Sequence, residues 1–220
     1  VNHDWRARLA REISSEGLYD EGIEAARNAC AAGASVAAAA ITAAAFYDNP
    51  LTGVPALRAS MKRLVDLPLE RGAWLSALAG APHPETGDPG FTPGFGFVSP
   101  AEASAVVGAL HRLLVPWKAE TRSRSAFFLA HRAAIMQVAG PLNVAGLCAL
   151  SFVDHDVPVD EAEALFLVLR IEPAIREGQR ARRAGLSAFP FYEFPYTYEG
   201  TAPEVRSYDV QELMKEVGLV

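Results

Sequence analysis

The chain has 220 residues, half of them hydrophobic and about a fifth charged, with a formal net charge of −6. That is chain enough for one domain, or one and a half, around a buried core, with the composition of an ordinary soluble globular protein. The acidic balance argues against nucleic acid or an anionic membrane surface as the default partner.

At the N-terminus, Asp4, Arg6, Arg8, Arg11 and Glu12 leave no apolar run, so no secretory signal is visible. Cys30 and Cys148 lie far apart in Ala/Leu-rich stretches without metal-ligand spacing. Buried, inert thiols in a reducing compartment are expected, and with them a cytoplasmic location. The stretch Asn28 to Tyr47 carries no charge, yet it is mostly alanine, which drives membrane insertion weakly; a buried helix pair is expected there. Helical periodicity dominates the rest and β signals are sparse, so the predicted class is all-α.

Two helices, Leu18 to Ala32 and Ala34 to Tyr47, are expected to break near Gly33. The second is alanine-rich enough for a neighbouring helix, in the same or another subunit, to approach its backbone closely. Asp48-Asn49-Pro50 interrupts, and Pro55 to Val65 resumes with Leu57, Met61, Leu64 and Val65 on one face. A short helix follows over Arg71 to Leu78. Gly80 to Ser99 reads as a loop by its prolines and glycines, and a loop that long tends to be functional. Ser99, Pro100 and Glu102 fit the N-cap, N1 and N3 positions of a helix reaching about Leu114. Further helices are expected over Thr121 to Val138, Leu142 to Val153 and Val159 to about Ala184. Arg176 to Arg183 is a cationic run that suits a solvated helix C-terminus, or else an anion contact. The aromatic, proline-rich stretch Ala188 to Pro203 reads as an extended arm, and Val210 to Val217 as a last short helix. No internal repeat is visible.

Among the five histidines, His155 alone is flanked by acids, in Asp154-His155-Asp156. A metal or acid–base role is one reading; a polar turn between helices, with Asp160 as the next N-cap, is the plainer one. His111 and His131 fall within helices, and His83 sits in the long loop. In Pro93-Gly94-Phe95-Gly96-Phe97, two glycines let the backbone turn tightly or approach a ligand; a plain turn fits equally well. No nucleotide-binding, zinc or serine-hydrolase signature occurs, and no metal site is expected.

Four segments, taken in order, resemble motifs of the citrate synthase family, most closely its shorter citryl-CoA lyase-like members. They are Pro50-Leu51-Thr52-Gly53-Val54, Pro93-Gly94-Phe95-Gly96-Phe97, Leu142-Asn143-Val144-Ala145-Gly146 and Leu169-Arg170-Ile171. The resemblance covers about residues 15 to 200. It implies a citrate synthase-like multi-helix fold with a truncated large lobe (1–50 and 145–220) and a smaller lobe (51–144). It also implies a cleft in which an acyl-CoA meets a keto-acid; a homodimer is expected because the Ala-rich helix and the aromatic arm both want a partner surface. Arg170 matches an arginine that holds a substrate carboxylate, with Thr52 and Phe97 on the same substrate side. Gly94, Gly96 and Asn143 would line the coenzyme A side.

The departures are as informative. Thr52 and Phe97 stand where the family carries histidines, and Ala145 stands at its catalytic aspartate. A family arginine from an Arg-Pro pair falls at Phe189-Pro190, and the Asp-Pro-Arg after the second histidine is reduced to Ser99-Pro100-Ala101. The upstream Asp-His-X-Leu-Asn motif is not recognisable near Glu16 to Asp20. Taking an α-proton from a thioester needs a placed base and a donor aimed at the developing oxyanion. Loss of an acid–base group costs about 10²–10⁴ in rate, and loss of an oxyanion donor roughly 10²–10³.

Three functions follow as expectations. The first is a protein that keeps the cleft for an acyl-CoA or small carboxylate, needs no cofactor, and has lost or recast the Claisen-type chemistry. The second is an active lyase or acyltransferase of altered acyl-CoA specificity, with Thr52, Ser99, His83 and Arg170 as candidate groups. The third is a non-catalytic subunit partnering a full-length, intact relative.

Overall fold

The computed structural model describes residues 4–14, 21–79, 92–96, 98, 100–114 and 123–185. These residues all belong to one compact unit. They form nine helices: α1 (Asp4–Ile13), α2 (Glu21–Ala31), α3 (Val36–Phe46), α4 (Val54–Val65), α5 (Arg71–Leu78), α6 (Pro100–Leu114), α7 (Arg124–Ala139), α8 (Val144–Asp154) and α9 (Val159–Ala184). No strand occurs among them, and the chain is all-α as its periodicity predicts; one isolated antiparallel bridge joins Phe95 to Leu142.

The predicted helices that fall on described residues are present, and capping sets the starts of three of them. Ser35, Ser123 and Asn143 each accept a hydrogen bond from a backbone N–H three residues on, so α3, α7 and α8 begin two or three residues later than periodicity alone suggests. Asp160 is not an N-cap. Pro158 holds that position, and Asp160 sits in the first turn of α9 beside Glu161, where negative charge suits the helix dipole. The first helix, α1, was not predicted; Trp5, Leu9 and Ile13, spaced four apart, are all buried. The arm from Ala188, the last short helix, most of the long loop, and the positions of Phe97, Ser99 and His83 lie outside the described residues.

Two apolar cores form. The larger takes in α1 and α4 to α8 with the start of α9, centred on an α8 that is buried along nearly its whole length from Val144 to Val153. The smaller joins α2, α3 and α9 through Ile23, Ala26, Cys30, Ala39, Ala43 and Ala174. Small side chains let these three helices approach closely: a Cβ on Gly178 of α9 would lie 3.0 Å from the Cys30 sulfur. Both cysteines are buried and free, as expected. Burial raises the Cys148 thiol pKa, leaving it protonated and inert. Helix α9 is about 39 Å long at 1.5 Å per residue, and serves both cores, with Phe166 in one and Ala174 in the other. The cationic run ends α9 as a solvated helix terminus, with Arg176 paired to Glu172 and Arg180 to Glu177. No helix among the described residues is long and apolar enough to cross a membrane.

Candidate functional site

The turn before α4 is built by Asn49. Its Oδ1 accepts from the backbone N–H groups of Leu51 (3.0 Å) and Thr52 (2.8 Å), and from the Thr52 hydroxyl at 3.3 Å. An asparagine closing its own turn in this way is the local chemistry that Asp48-Asn49-Pro50 encodes. The Val54 N–H donates to the Tyr47 carbonyl at 2.8 Å, and a Cβ on Gly53 would lie 2.2 Å from that oxygen. Only glycine fits there. Thr52 is half-buried, and its hydroxyl proton is directed at Asn49.

The Thr92 to Gly96 segment is fixed at both ends. The Thr92 hydroxyl donates to the Leu78 carbonyl, and Phe95 packs its ring 6.1 Å from Phe128. Gly94 and Gly96 both adopt positive φ, +83° and +80°. The Gly96 N–H donates to Pro141 O at 2.6 Å, and the Asn143 N–H donates to Gly94 O at 3.1 Å. Contact between the two segments is close enough that a Cβ on Gly146 would lie 2.2 Å from the Gly94 oxygen.

Asn143 ties these pieces together. Its Oδ1 caps α8 by accepting the Gly146 N–H at 3.1 Å, while its Nδ2 donates to Leu51 O at 3.3 Å and Gly96 O at 3.4 Å. One buried amide therefore joins three segments that are 47 and 92 residues apart in sequence. Thr52 follows one of the two accepting carbonyls, and Ala145 lies two residues beyond the amide. Ala145 and Asn143 are closed off from solvent in this conformation.

Arg170 lies 1 % exposed in α9, its guanidinium carbon 5.8 Å from the centre of the Tyr47 ring. The Tyr47 hydroxyl donates to the Arg170 carbonyl at 3.3 Å. Three residues on, Pro173 has no N–H to donate back to Leu169, so the helix ladder is already interrupted in this turn. Burial lowers the Arg170 pKa to about 9, which leaves the guanidinium charged at neutral pH. Tyr47 thus brings the fourth segment to the first: its side chain covers Arg170 while its carbonyl anchors the Thr52 turn.

Several of these groups escaped the sequence reading. Asn49 and Tyr47 flank a matched segment, and an asparagine before proline is the signal that marks the turn. Ser60 of α4 carries no signal at all. Its hydroxyl is buried against the Gly94–Gly146 contact and has no hydrogen-bond partner.

Thr52, Ser60, Asn143 and Ala145 carry no side chain that ionises near neutral pH, and Arg170 is a cation. This set can donate hydrogen bonds and hold an anion, but it offers no general base. Among the described residues no His, Cys, Asp and Glu grouping could hold a metal.

His155 sits at the opposite end of α8, as its C-cap. Its Nδ1 pairs with the Ser151 carbonyl at 2.7 Å, and its ring lies 4.1 Å from the Trp5 ring. This is the polar turn between helices, joined to α1 by stacking. Burial lowers its pKa below 6.5, and the Ser151 bond and the charges of Asp154 and Asp156 oppose that shift only in part. The folded protein therefore binds fewer protons here than the unfolded chain just below pH 6.5. Stability from this group is complete above that pH and is lost as pH falls towards the lowered value. Urea unfolding midpoints are expected to fall between pH 7 and pH 5, and the His155→Gln substitution to flatten that dependence.

No protein-family model matches the chain, and no curated protein matches it.

Proposed function

We propose that this chain is a citrate synthase-like protein that binds an acyl-CoA or a small carboxylate between two helical lobes. In this reading the family's C–C bond chemistry is lost or recast. The observation that carries it is the meeting at Asn143 of three of the four matched segments, with Tyr47 bringing Arg170 to the same neighbourhood. Arg170 holds a ligand carboxylate, and the Gly94–Gly96 segment lies on the coenzyme A side. Because Arg170 and Ala145 are closed off, entry requires the 51–144 lobe to part from the flanking segments, as lids and domains do in many enzymes. Thr52, Phe97 and Ala145 supply no base in the open or closed form.

The test is thermal unfolding with coenzyme A, acetyl-CoA, propionyl-CoA, citrate and oxaloacetate. A ligand at a hundredfold excess over its Kd adds about 2.7 kcal/mol, which raises Tm by roughly 5–11 °C for a chain of this size. Arg170→Met is expected to remove the response to the carboxylates and to spare that to coenzyme A. A flat response across the whole panel would contradict the proposal.

A second reading, an interaction subunit, draws on α3. That helix has no charged residue and is apolar all round, yet Ile41 is 71 % exposed and Phe46 42 % exposed. A helix apolar on every face belongs in an interior. A second copy of this chain, or a full-length relative, would cover it. Sedimentation at micromolar concentration should show a dimer that Ile41→Glu dissociates; a monomeric wild type would remove the homodimer.

A further inference from the structure

Tyr47 is engaged through both its backbone and its ring. As the C-cap of α3 its N–H donates to Ala43 O at 3.2 Å, and its carbonyl accepts the Val54 N–H at the start of α4. Its side chain lies in the smaller core, 4 % exposed. The Arg170 guanidinium carbon stands 5.8 Å over the ring, and Phe166 meets the ring edge-on with centroids 6.3 Å apart. Gly22 of α2 leaves room for it: a Cβ there would lie 2.6 Å from the ring and 2.8 Å from the hydroxyl oxygen.

The hydroxyl tethers the ring by donating to the Arg170 carbonyl at 3.3 Å, and burial raises its pKa, so it stays a donor. A cation within about 6 Å of an aromatic ring is attracted by the ring's quadrupole. Tyr47 therefore stabilises the buried guanidinium without supplying a negative charge. Phe166 lies inside α9 and is fixed by that helix. Tyr47 ends α3, and a residue at the end of an element can change its backbone angles without breaking a helical turn.

We infer that Tyr47 is the gate of Arg170: its ring is an internal occupant that an incoming carboxylate displaces, and its backbone passes that displacement to the Thr52 turn and α4. The gate presupposes that Arg170 holds a ligand carboxylate, as proposed, and adds how that site is kept shut without one. A protein whose binding-competent state is only partly populated binds more weakly by that fraction. Loosening the ring should therefore tighten binding, although it removes a buried aromatic contact.

Citrate and oxaloacetate are titrated by calorimetry into the wild type, Tyr47→Phe and Tyr47→Leu, and solvent exchange of the Arg170 Nε–H is read by NMR on the same proteins without ligand. Tyr47→Phe keeps the ring and its packing and loses the hydroxyl tether, so the test survives a Tyr47→Leu protein that fails to fold. Binding should tighten by about two- to tenfold in Tyr47→Phe, the worth of one hydrogen bond. It should tighten further in Tyr47→Leu, where the cation–π contact is lost as well. Exchange at Arg170 should quicken in the same order. Wild-type binding that stays unchanged or weakens in both variants would overturn the gate and leave Arg170 as a carboxylate site. No binding of either acid by any of the three proteins would remove the carboxylate site, and the gate with it.

Discussion

Gly146→Ala is expected to lower the melting temperature by about 6–12 °C, a cost of about 3 kcal/mol spread over a chain of this size. The new methyl group would sit 2.2 Å from the Gly94 carbonyl oxygen, a backbone atom pinned by the Asn143 N–H and unable to swing aside. Gly96→Ala is the informative control. That position also has positive φ, but nothing lies within 4 Å of its missing Cβ, so only backbone strain of about 1–2 kcal/mol applies. Ser60→Ala should be neutral or slightly stabilising, because it removes a buried hydroxyl that has no partner. Calorimetry on the three variants would order them. A Gly146→Ala protein as stable as wild type would mean that the two segments do not touch in solution.

The second large effect is expected at Asn143. Asn143→Ala removes the α8 cap, worth about 1 kcal/mol, and leaves the Leu51 and Gly96 carbonyls without a donor, at about 1 kcal/mol or more each. A total near 3 kcal/mol by urea unfolding is the expected result. Asn143→Asp keeps the acceptor that caps Gly146 but turns the donor into a second acceptor, facing two carbonyl oxygens in a buried site. Burial and those oxygens disfavour the charged form, so the new carboxyl has a folded pKa above its unfolded one. Its penalty is therefore present at neutral pH and relieved as pH falls, the opposite of the His155 dependence. An Asn143→Asp protein that loses stability on acidification as the wild type does would contradict this geometry.

Much of the fold was legible because apolar spacing is a strong signal over ten or more residues. Arg71–Leu78 and Val159–Ala184 form over the residues that their periodicity predicts. The starts of α3, α7 and α8 were misplaced for one physical reason: periodicity does not see a side chain, here Ser35, Ser123 or Asn143, that turns back to cap its own helix. Helix α1 was missed because five charged residues dominate its composition, although Trp5, Leu9 and Ile13 line one face. The candidate site was legible only as four separated segments. The amide of Asn143 that joins three of them, the Tyr47 ring over Arg170 and the orphaned Ser60 hydroxyl are tertiary facts, set by what the chain folds together from distant positions. Gly94 and Gly96 were read as a ligand approach or a plain turn. In the structure their positive φ angles dock one segment against another, and Asn143 directs its side chain to protein partners.

Binding without proton abstraction is the central claim, and one spectrum addresses both halves. Acetyl-CoA is incubated with the protein in D₂O and observed by proton NMR, with saturation transferred from protein to ligand. The account predicts transfer to the coenzyme A and acetyl signals, and an acetyl methyl intensity that decays no faster than in buffer. Loss of that intensity by deuterium exchange would place a working base in the site, and absence of any transfer would leave the cleft without the ligand assigned to it.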